Sequence, residues 1–218
     1  MTAVGFLHTS RVHVATFRTL LLDVAPGVLD VHLVDEDLLA DVRDRGLDAN
    51  VDARLLGRLR ELVEQTPSVI VCTCSTLSGH AEGLAHQLGI CVLRVDRPMA
   101  ECAVAHGGRV AVVAAIESTL APTRELLEEC AAGCRSGAVV VDAPCLEAWA
   151  LFERGDQAGY CALIARHIRS LAEDVDVVVL AQASMAPAAE LLEDLAAPVL
   201  SSPRLAVLRA VEIATASA

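Results

Sequence analysis

Apolar and polar positions along this chain fall into blocks that read as strand, helix, strand, helix. Short, continuous apolar runs of the kind found in buried parallel strands lie at 3–8, 31–34, 69–73 and 91–95. They return at 109–114, 138–141, 176–181 and 198–200. Between them the period changes to that of a helix. Residues 16–24, 51–64 and 78–87 are predicted helices in the first half, the second of them carrying Leu55, Leu59, Leu62 and Val63 on one face. The second half predicts helices at 121–132, 157–173, 186–195 and 203–215. Alternating βα units imply parallel sheets with helices on both faces. In such sheets chemistry gathers at the carboxyl ends of the strands. The residues placed there are His8-Thr9-Ser10, Asp35, Cys74-Ser75-Thr76, Glu117-Ser118-Thr119, Gln182-Ala183-Ser184 and Ser201-Ser202.

The two halves also repeat each other in sequence. Ser68 to Ser78 aligns without a gap on Asp176 to Ala186, which sets Cys74 on Gln182. At the same spacing the segment beginning Leu55-Leu56-Gly57-Arg58 matches Leu163-Ile164-Ala165-Arg166. Val4 to His8 falls on Val110 to Ala114, and Arg18 to Leu21 on Arg124 to Leu127. A duplicated chain tends to pack its halves about a pseudo-two-fold axis, with equivalent loops facing across a cleft. The expected domains are residues 1–98 together with the returning helix 204–218, and residues 99–203. One half offers a thiol where the other offers an amide, and that asymmetry marks where function is expected.

Composition narrows the class. A chain of 218 residues with 54% hydrophobic and 21% charged content describes a well-cored globule and not a disordered chain. The net charge of −12 and the 2% aromatic content argue against nucleic acid as a partner, which needs basic side chains for phosphates and rings for bases. Nothing near the amino end resembles a signal peptide, and no apolar run approaches the ~18 residues of a membrane span. The expectation is a cytoplasmic protein, away from membranes. The eight cysteines then read as reduced thiols. They form no pair of CxxC units, and Cys130 with Cys134 lies within a helical stretch, so no metal site is expected. Cys91, Cys130, Cys134, Cys145 and Cys161 read as small apolar residues, and Cys72 as core.

Hydroxyl pairs at three equivalent strand ends, with the amides of the helices they start, form a set suited to carboxylate oxygens. Ser75, Thr76, Ser118, Thr119 and Ser184 belong to it, with Thr9 and Ser10 after the first strand. A Ser or Thr there also serves as a helix N-cap, His8 as a loop histidine and Asp35 as a cap. Arg94, Arg97, Arg109 and Arg204 are too scattered to form a clamp. Cys74 stands apart: a thiol after an apolar strand and before a helix start is placed for a lowered pKa.

These residues resemble a known family. Cys74-Ser75-Thr76 is similar to the first-half Cys-Asn/Ser-Thr motif of the aspartate/glutamate/hydantoin racemase superfamily. Val179 to Ala186 resembles its second-half motif, an apolar strand followed by Gly-Cys-Ala/Thr-Gly/His-Met-Ala. Gly108 to Ala115 with Thr119, and Val199 to Pro203, extend the resemblance over nearly the whole chain. It implies an α/β fold of two Rossmann-like halves with parallel sheets, related by a pseudo-two-fold axis, with the active site in the cleft between them and no cofactor. It implies Cys74 and Gln182 as catalytic positions, and His8, Thr9, Ser10, Ser75, Thr76, Ser118, Thr119, Ala183 and Ser184 as substrate contacts. Two-base racemases of this family use one cysteine per half; here Gln182 takes the second place and has no acid–base chemistry near neutral pH. Arylmalonate decarboxylase keeps a single cysteine in its second half, and maleate isomerase uses its first-half cysteine as a nucleophile. The resemblance therefore implies a one-thiol isomerase, racemase or lyase acting on a small carboxylate. A diverged thiol-adduct enzyme and a non-catalytic binding protein are the alternatives, and self-assembly is left open.

Overall fold

The computed structural model describes residues 2–216, and the chain forms two compact units. One runs to Val95 and resumes at Pro203; the other is Asp96–Ser202. In the first, β1 (Ala3–His8), β2 (Leu29–Val34), β3 (Val69–Cys72) and β4 (Val92–Arg94) form a parallel sheet ordered β2-β1-β3-β4. In the second, β5 (Arg109–Val113), β6 (Val139–Asp142), β7 (Val177–Leu180) and β8 (Val199–Ser201) form a parallel sheet ordered β6-β5-β7-β8. The fold is α/β, and the sequence repeat is a repeat of topology. Leu7 pairs with Cys72, and Val113 with Leu180, at the same step of each central ladder. Cys74 and Gln182 thus each stand two residues past the central strand of their own sheet.

Two of the longer helices pack through a stripe of apolar residues. Helix α3 (Ala49–Val63) buries Val51, Leu55, Leu59 and Leu62, and is capped by Asp48, which accepts from the Asn50 and Val51 amides. Its equivalent α8 (Gln157–Leu171) buries Tyr160, Cys161, Ile164, Ala165 and Ile168 behind a cap from Asp156. The first unit's core joins α3, Leu38, Val42, Leu77 and Ala81 to Leu7, Ile70 and Cys72 of the sheet. The second joins α8, Met185, Ala188 and Leu192 to Val113, Val178 and Leu180. The central strands β1, β3 and β7 are buried along their whole length.

Helix limits depart from the sequence expectations for identifiable reasons. Helix α1 (Val12–Val24) starts four residues earlier than expected and buries only Phe17 and Leu21, too few to show a face. Helix α2 (Asp37–Arg45), not foreseen, is held by two buried residues, Leu38 and Val42. Helix α4 (Ser75–Leu84) begins at Ser75 and not at Ser78. Pro98 lies in the first turn of α5 (Arg97–His106), a helix not foreseen, where its missing N–H costs nothing. Helix α6 (Glu117–Cys134) likewise starts before Pro122. The expected helix 186–195 is a 3₁₀ segment, Ala183–Leu192, containing Pro187, which removes an i→i−4 donor from any α-helix there. A short α7 (Trp149–Glu153) precedes α8, and α9 (Ser202–Ala216) follows β8. Gly108 is required by its backbone: its φ is +71, and a Cβ there would collide with Asp176, whose carboxylate accepts from the Arg109 amide. Cys91 and Cys134 are exposed and so do not act as core residues.

Candidate active site

In the first unit, Cys74 is the extended residue that starts α4, with φ −100 and ψ 108. Its carbonyl accepts from Leu77 and Ser78, which turns the helix while the side chain stays at the strand end. The residue is buried, with 7% of its surface exposed. The Thr9 and Thr76 hydroxyls and the Thr76 and Leu77 amides are its hydrogen-bonding neighbours. The structure reverses the expectation of a lowered pKa. Burial pushes the Cys74 thiol up, and those donors offset only part of it, because removing a thiolate from water costs more than the donors return. The resting group is a neutral thiol in a nest of donors that would hold its anion.

Next in the chain, the Ser75 hydroxyl is buried without a partner among the described residues. Thr9 is nearly buried, while Ser10 is half-buried at the turn into α1. His8 faces inward: Nδ1 contacts the Thr73 hydroxyl at 2.9 Å and Nε2 contacts His32 at 2.8 Å, so both ring nitrogens are engaged within this unit. Asp35 is not a cap. It takes Arg54 and Arg58 at 2.6 and 2.8 Å. Burial would raise its carboxyl, but the two guanidiniums hold it below the ordinary range.

In the second unit Gln182 is the extended residue that starts the 3₁₀ segment, with φ −124 and ψ 138. Its Oε1 accepts from the Ala115 amide at 2.6 Å. A backbone N–H only donates, so this contact fixes the side-chain amide with oxygen inward, leaving its NH₂ as the group on offer. Ala115 occupies the repeat position of Thr9, with a methyl group in place of the threonine hydroxyl. Ala183 and Thr119 are buried, and the Ser118 hydroxyl, like those of Thr123 and Ser202, is buried without a partner among the described residues. Ser184 is committed: its hydroxyl meets Tyr160 at 3.0 Å and its carbonyl accepts from Gln157. Tyr160→Phe is expected to lower the unfolding free energy by about 1 kcal/mol, the net worth of one such bond, measured by urea titration.

The arginines are structural where their partners are seen. Arg97 pairs with Glu129, Arg204 with Asp23, and Arg109 donates to the Asp174 carbonyl. Arg94 is buried against Gly79 of α4. Sequence reasoning missed Thr73, His32, Asp30 and the Ala115 amide. The one available signal was that His8, His13 and His32 crowd into the first 32 residues of a chain with seven histidines.

Solved structures share this fold over nearly the whole chain. An aspartate racemase of Picrophilus torridus superposes with a TM-score of 0.77 at 13% identity, covering 99% of this chain and 95% of its own. A glutamate racemase of Bacillus anthracis gives 0.71 at 18%, covering 99% and 82%. A glycine-to-cysteine variant of arylmalonate decarboxylase gives 0.63 at 21%, covering 99% and 94%. At these identities the likeness establishes a racemase-type fold. No curated protein matches in sequence, but the family model Asp/Glu/Hydantoin racemase matches residues 21–210. The chain belongs to the Asp/Glu/hydantoin racemase family and is a racemase-like enzyme by that membership. Among the described residues no helix is long and apolar enough to cross a membrane.

Proposed function

We propose that this enzyme transfers a proton to or from the α-carbon of a small carboxylate, with Cys74 as the acting group and without a cofactor. The observation that carries this reading is the setting of Cys74, a buried thiol within reach of two threonine hydroxyls and two amides at the start of α4. Those donors, with the unpartnered Ser75 hydroxyl, suit a carboxylate and the charge that develops on it when its α-carbon becomes a carbanion. A resting neutral thiol is ready to give a proton, which favours one-sided delivery to a carbanion, as in a lyase. A thiolate formed once substrate is bound serves the isomerase or racemase version, or attacks as a nucleophile. Gln182, its oxygen held by the Ala115 amide, offers its NH₂ as a donor and is never a base in this scheme. The same reading makes Thr9, which neighbours Cys74, a further substrate contact.

The test is deuterium incorporation. Amino acids, hydantoins, arylmalonates and maleate are incubated in heavy water with the enzyme and with Cys74→Ala. Incorporation at carbon that needs Cys74 supports proton transfer. A covalent adduct on Cys74 without exchange points to the nucleophilic alternative. Ligand binding with neither would leave a binding protein. Gln182→Cys is expected to gain racemisation of a chiral acid whose parent enzyme shows little, read by chiral chromatography, because a thiol can exchange a proton where an amide cannot.

A further inference from the structure

The carboxyl ends of β1, β2 and β3 are tied by a chain of side chains whose protons can be counted. The Thr73 hydroxyl donates to the Leu7 carbonyl at 3.0 Å. With its one proton spent, Thr73 can only accept from His8 Nδ1, 2.9 Å away. His8 is therefore in the Nδ1–H form, and its Nε2 is an acceptor or carries a second proton. Next, His8 Nε2 and His32 Nδ1 lie 2.8 Å apart and need one proton between them. Finally His32 Nε2 lies 2.7 Å from Asp30 Oδ2, a carboxylate also held by Arg18 at 2.7 Å, and this link needs one more. Three ring protons close the chain, but two neutral imidazoles carry two.

We infer that His8 and His32 form one unit that takes up a single extra proton, on His32 against Asp30, and that His8 is a positioning residue for Cys74, holding the preceding Thr73 to the end of β1. With two ring protons one link stays open, and the weakest is the one between the rings, since the link to Asp30 is charge-assisted. With the third, all the links close. The groups facing the pair agree with a single proton. His8 is met by His13 from α1, at 6.4 Å between ring centroids, by Phe6 and Phe17, and by Thr73 from β3; His32 is met by Phe6 and by Asp30, which Arg18 from α1 holds. Burial, then the charge of His32 and of His13, pull His8 down to about 3. Burial also lowers His32, with Asp30 pulling the other way. The proton thus enters on the acid side of the ordinary histidine range and stays off His8. The proton count is independent of any reaction; the positioning role rests on the reading of Cys74 as the acting thiol.

Long-range ¹H–¹⁵N spectra of the full chain, labelled at histidine and titrated from pH 8 to pH 4, test the count. His8 is expected to remain the neutral Nδ1–H tautomer throughout while His32 alone takes a proton. In Thr73→Val the acceptor for Nδ1 is gone, so His8 is expected to switch to Nε2–H and donate to His32. Two protons then satisfy both remaining links, and proton uptake by the pair shifts to lower pH. An Nε2–H tautomer in the parent, both rings protonating together, or no change in Thr73→Val would overturn the count. Positioning is read from the rate at which iodoacetamide alkylates Cys74, followed on its own peptide by mass spectrometry across the same pH range. The profile is expected to carry the inflection of the pair, to keep it in Thr73→Ser, and to lose it in His32→Gln. An inflection that survives His32→Gln overturns the positioning role, and a Cys74 that never reacts overturns it together with the thiol reading, while the spectra still decide the count.

Discussion

Cys74→Ala is expected to abolish turnover, lowering kcat/KM by at least about 10³-fold, within the range that a positioned acid or base contributes. The reason is local. Among the groups that hydrogen-bond Cys74, Thr9 and Thr76 offer hydroxyls and the rest are amides, none of which exchanges a proton usefully near neutral pH. Cys74→Ser should retain little, because a hydroxyl is a far weaker acid and nucleophile than a thiol. The fold should tolerate both changes. Cys74 packs on the edge of the first unit's core with Leu77, where alanine removes one sulfur atom and serine exchanges it for a smaller oxygen. Steady-state kinetics on whichever acid exchanges its α-proton, with circular dichroism to confirm folding, checks this. Full activity in Cys74→Ala would end the thiol mechanism.

Acidification should destabilise the first unit sharply. His8 is fully buried, and burial, with the charges of His32 and His13, lowers its pKa to about 3. The folded state therefore refuses a proton that the unfolded chain accepts below the ordinary value of 6.5. The stability tied to His8 is complete above that value and is lost as pH falls toward the folded one. At pH 5 this amounts to about 2 kcal/mol from His8 alone, at about 1.4 kcal/mol per pH unit. His13, lowered by burial to about 4, and His32, also lowered, act in the same direction. Asp35 adds to the trend further down, since the stability it gains from Arg58 and Arg54 is lost once its carboxyl is protonated. Urea titrations at pH 7 and pH 5 should show the loss, and His8→Asn should remove the part of the slope that His8 contributes. A slope unchanged by His8→Asn would mean that the ring is solvated in the folded chain.

What the sequence determined by itself was whatever depends on local period and on repetition. Continuous apolar runs such as Val69 to Cys72, too short for a buried helix, read as strands buried on both faces, and the match of Cys74 to Gln182 follows from alignment alone. Both positions are legible because a parallel βα unit always delivers its loop at the strand's carboxyl end. Helices with few buried anchors were not legible: α2 shows two apolar contacts, and α5 hides behind Pro98, which reads equally as a strand's end or a helix's first turn. Tertiary structure alone decided the state of the candidate site. The pKa of Cys74 depends on how much water is removed against how many donors replace it, and that balance belongs to the packed strand end, so the sequence expectation had the wrong sign. The orientation of Gln182 was set by the Ala115 amide, and the tautomer of His8 by the Thr73 hydroxyl. Each partner lies more than sixty residues away in the chain and beside its target only because β5 pairs with β7 and β1 with β3. A side chain's chemistry is set by the few atoms within hydrogen-bonding distance, and only the folded chain chooses those atoms.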